Sequence, residues 1–167
     1  ITTSLQLSWD AGGIKENSTI KVVSDVMAQS NTGSSFSLYL NGVSVGEQHL
    51  LPIPAAQYAI KGESKRDTLL VDATAVIAGD NKKLEARYQY NKVGSGRSVG
   101  YLNFLLLSFE RTLALYDQQT IFRSAASLNA DHATYEISSV SGDPFIWDIT
   151  NPYEPVSQDF SLNGSEA

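Results

Sequence analysis

The chain has 167 residues, 12 Lys and Arg against 18 Asp and Glu for a net charge of −6, no Cys, and 42% apolar residues. At this length the expectation is one domain, residues 1–167, around one core. Without Cys the chain holds no disulfide framework, thiolate metal site or thiol nucleophile, and its acidic balance argues against nucleic acid as a partner, because phosphate neutralisation needs clustered Lys and Arg.

The chain opens Ile1-Thr2-Thr3, with no Met and no charged segment leading into an apolar one. No signal peptide is expected, and the sequence reads as a piece excised from a larger secreted multidomain protein. Absence of Cys leaves the compartment open. Thr19 to Met27 is the first segment with strand character. Phe36, Leu38 and Leu40, then Val43 and Val45, alternate with small polar residues around Asn41-Gly42, the strongest short-range hairpin signal. A two-residue loop there pairs Leu40 with Val43 and Leu38 with Val45, placing all four on one face.

Asp67 to Ala73 predicts another strand, followed by Asp72 to Asn81, where Asp72 or Thr74 caps a short helical turn and Gly79 ends it. This stretch, Asp-x-Thr, an apolar pair and Gly-Asp-Asn before an amphipathic strand, resembles one found in many jelly-roll and galactose-binding-like sandwiches. Lys83 to Tyr90 gives the clearest alternation: Leu84, Ala86, Tyr88 and Tyr90 point one way, Lys83, Glu85, Arg87 and Gln89 the other. Val99 to Arg111, Thr120 to Ser124, Thr134 to Val140 and Pro144 to Thr150 complete the expected strands. The longest apolar run, Phe104 to Leu107, is far shorter than the roughly 18 residues that cross a bilayer, so no membrane span is expected. Short strands separated by turns, with no helical spacing between them, predict an all-β, antiparallel, jelly-roll-like sandwich with at most a short helical turn.

Few residues suggest catalysis. The two histidines, His49 at a strand end and His132 in a polar loop, lie near no nucleophile elbow. Gly94-Ser95-Gly96-Arg97-Ser98-Val99-Gly100 leads into a strand rather than opening a helix, so it lacks the fan of N–H groups that holds phosphate. Gly79-Asp80-Asn81, or Asp143 with Asp148, offers oxygen ligands of the kind calcium takes, but turn formation accounts for these residues without an ion. No cofactor is expected, a structural calcium being the one ion the sequence leaves room for. Acids alternating with Lys and Arg read as solvated strand faces rather than a glycosidase pair. Tyr88, Tyr90, Tyr101, Trp9 and Trp147 supply aromatic faces of the kind sugar-binding sandwiches use, although the spacing of Tyr88 and Tyr90 favours core positions. Asn17-Ser18-Thr19 and Asn163-Gly164-Ser165 fit the glycosylation acceptor pattern.

Phe145-Ile146-Trp147-Asp148-Ile149-Thr150-Asn151-Pro152-Tyr153-Glu154-Pro155 is the most distinctive stretch. It reads as a strand that Asn151-Pro152 stops abruptly. Its Trp-Asp-Ile-Thr-Asn-Pro string resembles the Trp-Asp-(Val/Ile)-Thr-(Asp/Asn)-Pro signature of the PorU family of type IX secretion signal peptidases, gingipain-like cysteine peptidases of Bacteroidetes. Gly100 to Leu113, ending in Glu110-Arg111-Thr112-Leu113, and Thr120 to Ser124 are similar to preceding segments of that family, so that the likeness runs from about Ile60 to Pro155. The resemblance implies a non-catalytic β-sandwich region ahead of a peptidase domain that carries the Cys and His, and this chain, lacking Cys, inherits no catalytic residue. Trp147, Asp148, Thr150 and Pro152 match the motif and are expected to be structural, the indole filling the core and the carboxylate fixing a turn or neighbouring N–H groups.

The resemblance also implies partners, namely the peptidase domain of the same parent chain and secretion-system or cargo proteins. The location it implies is extracytoplasmic, at the cell surface or outer membrane of a Gram-negative bacterium. The competing reading is a carbohydrate-binding jelly-roll module of a secreted bacterial protein.

Overall fold

The structure is a computed structural model that describes residues 3–78, 82–94, 96–124 and 126–162. The chain forms two compact units, Ile1–Thr112 and Leu113–Ala167. Gly79-Asp80-Asn81, Ser95 and the Asn163-Gly164-Ser165 acceptor fall outside the described residues.

In the first unit, seven antiparallel strands form a jelly-roll-like sandwich: β1 (Ser4–Asp10), β2 (Thr19–Ser30), β3 (Ser34–Leu40), β4 (Val43–Leu50), β5 (Glu63–Asp72), β6 (Lys83–Lys92) and β7 (Ser98–Ser108). One sheet has the order β1-β6-β3-β4 and the other β5-β2-β7. The expected strands at Thr19–Met27, Lys83–Tyr90 and Val99–Arg111 correspond to β2, β6 and β7, while β5 starts earlier than the Asp67 predicted for it. β1 lies outside the expected set, although Leu5, Leu7 and Trp9 carry its alternation and Trp9 pairs with Leu84.

The core lies between the sheets. Ile20, Val22 and Val26 of β2 meet Leu38 and Leu40 of β3 and Leu84 and Ala86 of β6, all at most 1% exposed. Each large apolar side chain so buried contributes roughly 1.5–3 kcal/mol relative to exposure. Asn41-Gly42 forms the hairpin turn with positive φ at both residues, 44° and 82°, the combination that a two-residue type I′ turn requires. Leu40 pairs with Val43 as expected, but a bulge between Leu38 and Tyr39 sets Leu38 opposite Gly46 rather than Val45. Opposite that glycine sits Leu69 of β5, whose methyl carbons lie 3.3 Å from where a Cβ at Gly46 would stand. The register predicted from turn length thus holds at Leu40 and shifts at Leu38, where the residue opposite is the glycine that lies against the facing sheet.

A short helix, α1 (Ala73–Ile77), follows β5, with Asp72 as its cap: the carboxylate accepts from Thr74 N–H at 3.0 Å. Ala73, Val76 and Ile77 turn into the core.

The second unit differs from expectation. Thr120–Ser124 and Thr134–Val140 form no strands. Phe122 instead packs its ring on Tyr135, with centroids 5.2 Å apart. Ser138 makes a single parallel bridge to Ala114, and Ser139, at φ 57°, ends the extended backbone there. Within Pro144–Thr150 only Trp147 and Asp148 pair, as β8 (Trp147–Asp148) against β9 (Val156–Ser157). A 3-10 turn at Ala126–Asn129 is the remaining regular element among the described residues.

Candidate functional site

Three polar side chains in the sandwich interior satisfy one another. Ser24 of β2 donates its hydroxyl to Gln48 Oε1 at 2.6 Å and accepts from the Tyr88 hydroxyl at 2.8 Å, while Gln48 Nε2 donates to the Ser24 carbonyl at 3.2 Å. Ser24 and Gln48 are fully buried and Tyr88 is 2% exposed. Burial pushes the Tyr88 phenol above its ordinary value, the bond to Ser24 opposing the shift in part. The triad ties β2 of one sheet to β4 and β6 of the other and has no access to substrate, so its role is cohesion.

Among the described residues no hydrogen bond joins either histidine to a Ser or Thr hydroxyl. His49 is exposed beside Glu47 at 3.7 Å, and His132 is exposed in its loop. Among the described residues no three His, Cys, Asp or Glu side chains converge as metal ligands would.

The surface offers more. On the outer face of the β5-β2-β7 sheet, the pairings Val23–Leu106 and Met27–Tyr101 set apolar side chains next to one another, while Phe104 pairs with Asp25 and Leu70 with Lys21. Leu70 is 66%, Leu106 51% and Tyr101 44% exposed. One nearly buried carboxylate interrupts this surface: Asp25 is held by Arg66, whose Nε and Nη2 both reach Oδ2 at 2.7 Å. The same guanidinium stacks over the Phe104 ring at 4.9 Å. A bulge at Asn103 produces this face by turning Phe104 and Leu106 outward while Leu105 and Leu107 go to the core.

Between the edge strands β1 and β7 lies a cleft of about 160 Å³, lined by Leu5, Phe36, Tyr90, Gly100 and Leu102, with Lys92 among its walls. Tyr90 and Ser98 share a hydroxyl hydrogen bond of 2.6 Å across it. Gly100 is needed here, since a Cβ would stand 2.6 Å from Phe36 Cζ and 2.7 Å from Tyr90 Cδ2.

The aromatic residues considered for sugar stacking do not form one platform. Tyr88 is core, Tyr90 lines the cleft, Tyr101 lies on the outer sheet face with its hydroxyl 3.2 Å from Gln29 Oε1, and Trp9 stands on the edge strand β1. Trp147 belongs to the second unit and is 53% exposed, so its indole does not fill a core as the motif suggested. Its strand is two residues long, and its pairing among the described residues is with β9 alone. Asp148 does fix a turn, accepting from Thr150 N–H at 2.8 Å. Bonds from the Thr150 hydroxyl and N–H hold its carboxyl below the ordinary value. Asn151 continues the arrest by accepting from Tyr153 N–H at 3.2 Å, with Pro152 inside the turn closed by Glu154 N–H on the Asn151 carbonyl.

Neither a protein-family model nor a curated protein matches the sequence. Among solved structures, dimeric latent PorU from Porphyromonas gingivalis is similar with a TM-score of 0.69 at 15% identity, over 98% of this chain and 15% of that one. A carbohydrate-binding module in complex with calcium and xylotriose is similar with a TM-score of 0.39 at 14% identity, over 62% of this chain and 72% of that one. The chain thus spans about 15% of the length of the PorU chain it matches, and within that span it has the fold of a PorU β region.

Proposed function

We propose that this chain is a non-catalytic accessory β-sandwich region of a gingipain-like, type IX secretion C-terminal signal peptidase, packing on the peptidase domain of the same parent chain or contacting secretion-system or cargo proteins. The observation that carries the reading is the extent of the PorU likeness, 98% of the chain. That span takes in the Trp147-Asp148-Ile149-Thr150-Asn151-Pro152 string, which resembles the family on sequence grounds alone. A fold by itself hosts many functions, but here fold and motif agree on one family.

In this reading the parent's later domain supplies the thiol chemistry, and this chain, without Cys, supplies surface. The exposed apolar side chains Leu70, Tyr101 and Leu106 on the outer face of the β5-β2-β7 sheet suit such a role, because burying them against another surface is favourable. The parent belongs outside the cytoplasm, at the cell surface or outer membrane of a Gram-negative bacterium.

Two measurements test the proposal. The purified chain, mixed with a peptide bearing a C-terminal sorting signal, is expected to leave it intact; hydrolysis by the chain alone overturns the accessory role. The encoding reading frame is expected to continue into an αβ domain with a Cys–His pair, whereas an immediate stop codon or a glycoside hydrolase domain would remove the parent peptidase.

A further inference from the structure

The two sheets of the sandwich end differently on their two sides. On one side, Leu69 of β5 packs over Gly46 of β4, bringing those edges together. Both edge strands there carry charge: Glu47 and His49 in β4, and Glu63, Lys65, Arg66, Asp67 and Asp72 in β5. Charged residues on an edge strand discourage another strand from pairing with it. On the other side β7 ends a sheet of three strands while the facing sheet has four. Its 11 residues include no charged residue and no Pro, and among the described residues no third strand pairs with its outer edge. The bulge at Asn103 is its one irregularity and leaves Ser98–Leu102 as a regular run.

We infer that the Ser98–Leu102 half of β7 is a strand-addition site for an extended segment of a partner protein with apolar residues at alternate positions. An unpaired row of main-chain N–H and C=O groups is satisfied by another extended backbone, and alternate side chains then supply selectivity. The cleft beside this run receives the inward side chains against Phe36, Tyr90 and Leu102. The outward side chains lie next to Val99 and Tyr101, 36% and 44% exposed, and extend the apolar sheet face. Addition of one strand brings the smaller sheet to four. The inference rests on the free edge and its cleft and does not depend on the PorU reading.

The test uses the whole chain and a fluorescein-labelled peptide of alternating Val and Thr, as long as β7 and flanked by Lys for solubility. Fluorescence anisotropy is expected to show saturable binding, and amide hydrogen exchange is expected to slow across Ser98–Leu102. The same peptide N-methylated at every Val and Thr keeps its charge and side chains but has no N–H donor on either edge, and it is expected not to bind. The paired substitutions Val99→Lys and Tyr101→Lys are expected to weaken binding about tenfold or more by placing charge on the edge. Thermal unfolding of this variant confirms that it remains folded, and Thr68→Lys, exposed on the opposite edge strand β5, is expected to leave affinity unchanged. No binding, equal binding of the N-methylated peptide, or a concentration-dependent dimer that excludes the peptide each overturns the inference, the last by making the edge an interface between two copies of this chain. Any of these results leaves the accessory role untouched, since that role is tested by hydrolysis and by the reading frame.

Discussion

Tyr88 shows how one residue serves both packing and polarity. The spacing Leu84, Ala86, Tyr88 places it in the core, and the hydroxyl that comes with the ring finds Ser24 at 2.8 Å. Tyr88→Phe keeps the ring and removes that bond, at a cost of about 1 kcal/mol. The folded phenol titrates above its unfolded value, so the native state holds the proton more tightly. Its contribution is complete below the unfolded value and is lost as pH rises through the folded one. Melting temperature measured from neutral to strongly alkaline pH is expected to fall less steeply for Tyr88→Phe than for the parent chain. The pattern of alternation identified Tyr88 as buried, but its partners come from β2 and β4, far away in sequence, and no local signal announces Ser24 or Gln48.

At the scale of elements, the Asn41-Gly42 turn does more than reverse the chain. Asn41 Oδ1 accepts from Glu85 N–H at 2.7 Å, and its Nδ2 donates to the carbonyls of Lys83 at 3.0 Å and Val76 at 3.1 Å. One side chain therefore joins the β3–β4 hairpin to β6 and to the last turn of α1. Asn41→Gly retains the backbone freedom that a positive φ requires while removing all three bonds, and is expected to destabilise the chain by about 2–4 kcal/mol. Urea unfolding measures this as a lower midpoint with an unchanged slope. The turn was legible from Asn-Gly alone, whereas the bulge beside it was not: it sets Gly46 opposite Leu38 and against Leu69 of the facing sheet, a contact distant in sequence. In the second unit the reverse occurred. Phe145, Trp147 and Ile149 alternate as a strand should, yet they are 81%, 53% and 42% exposed, since Asp148 and Asn151 draw nearby N–H groups into turns before a longer ladder forms.

At the scale of the whole molecule, the buried apolar cluster is built from residues 11–88, and the partly buried side chains packed on it extend only to Phe109. The first unit thus contains its own core. A fragment of residues 1–112 is expected to unfold cooperatively in urea with amide protection across β2, β3 and β6; a chain that collapses without protected amides would show that this core is insufficient. At this scale too, β4 and β5, which carry charge, are the edges brought together on one side of the sandwich, while β7, which carries none, ends its sheet on the other, a contrast that appears only once strand order is known.

The sequence alone determined the all-β class, the inward and outward sorting along β2, β3 and β6, the Asn41-Gly42 turn and the Asp72 cap, because each follows from residues within one or two turns of chain. The absence of a thiol was likewise a matter of composition. Only the tertiary structure decided which strands are edges, where bulges shift the register, that Ser24, Gln48 and Tyr88 share one network, and that the Trp147 segment pairs over two residues alone. Those outcomes depend on contacts between distant segments, where packing and unpaired main-chain groups compete over the whole fold, and a pattern that repeats every second residue carries no record of that competition.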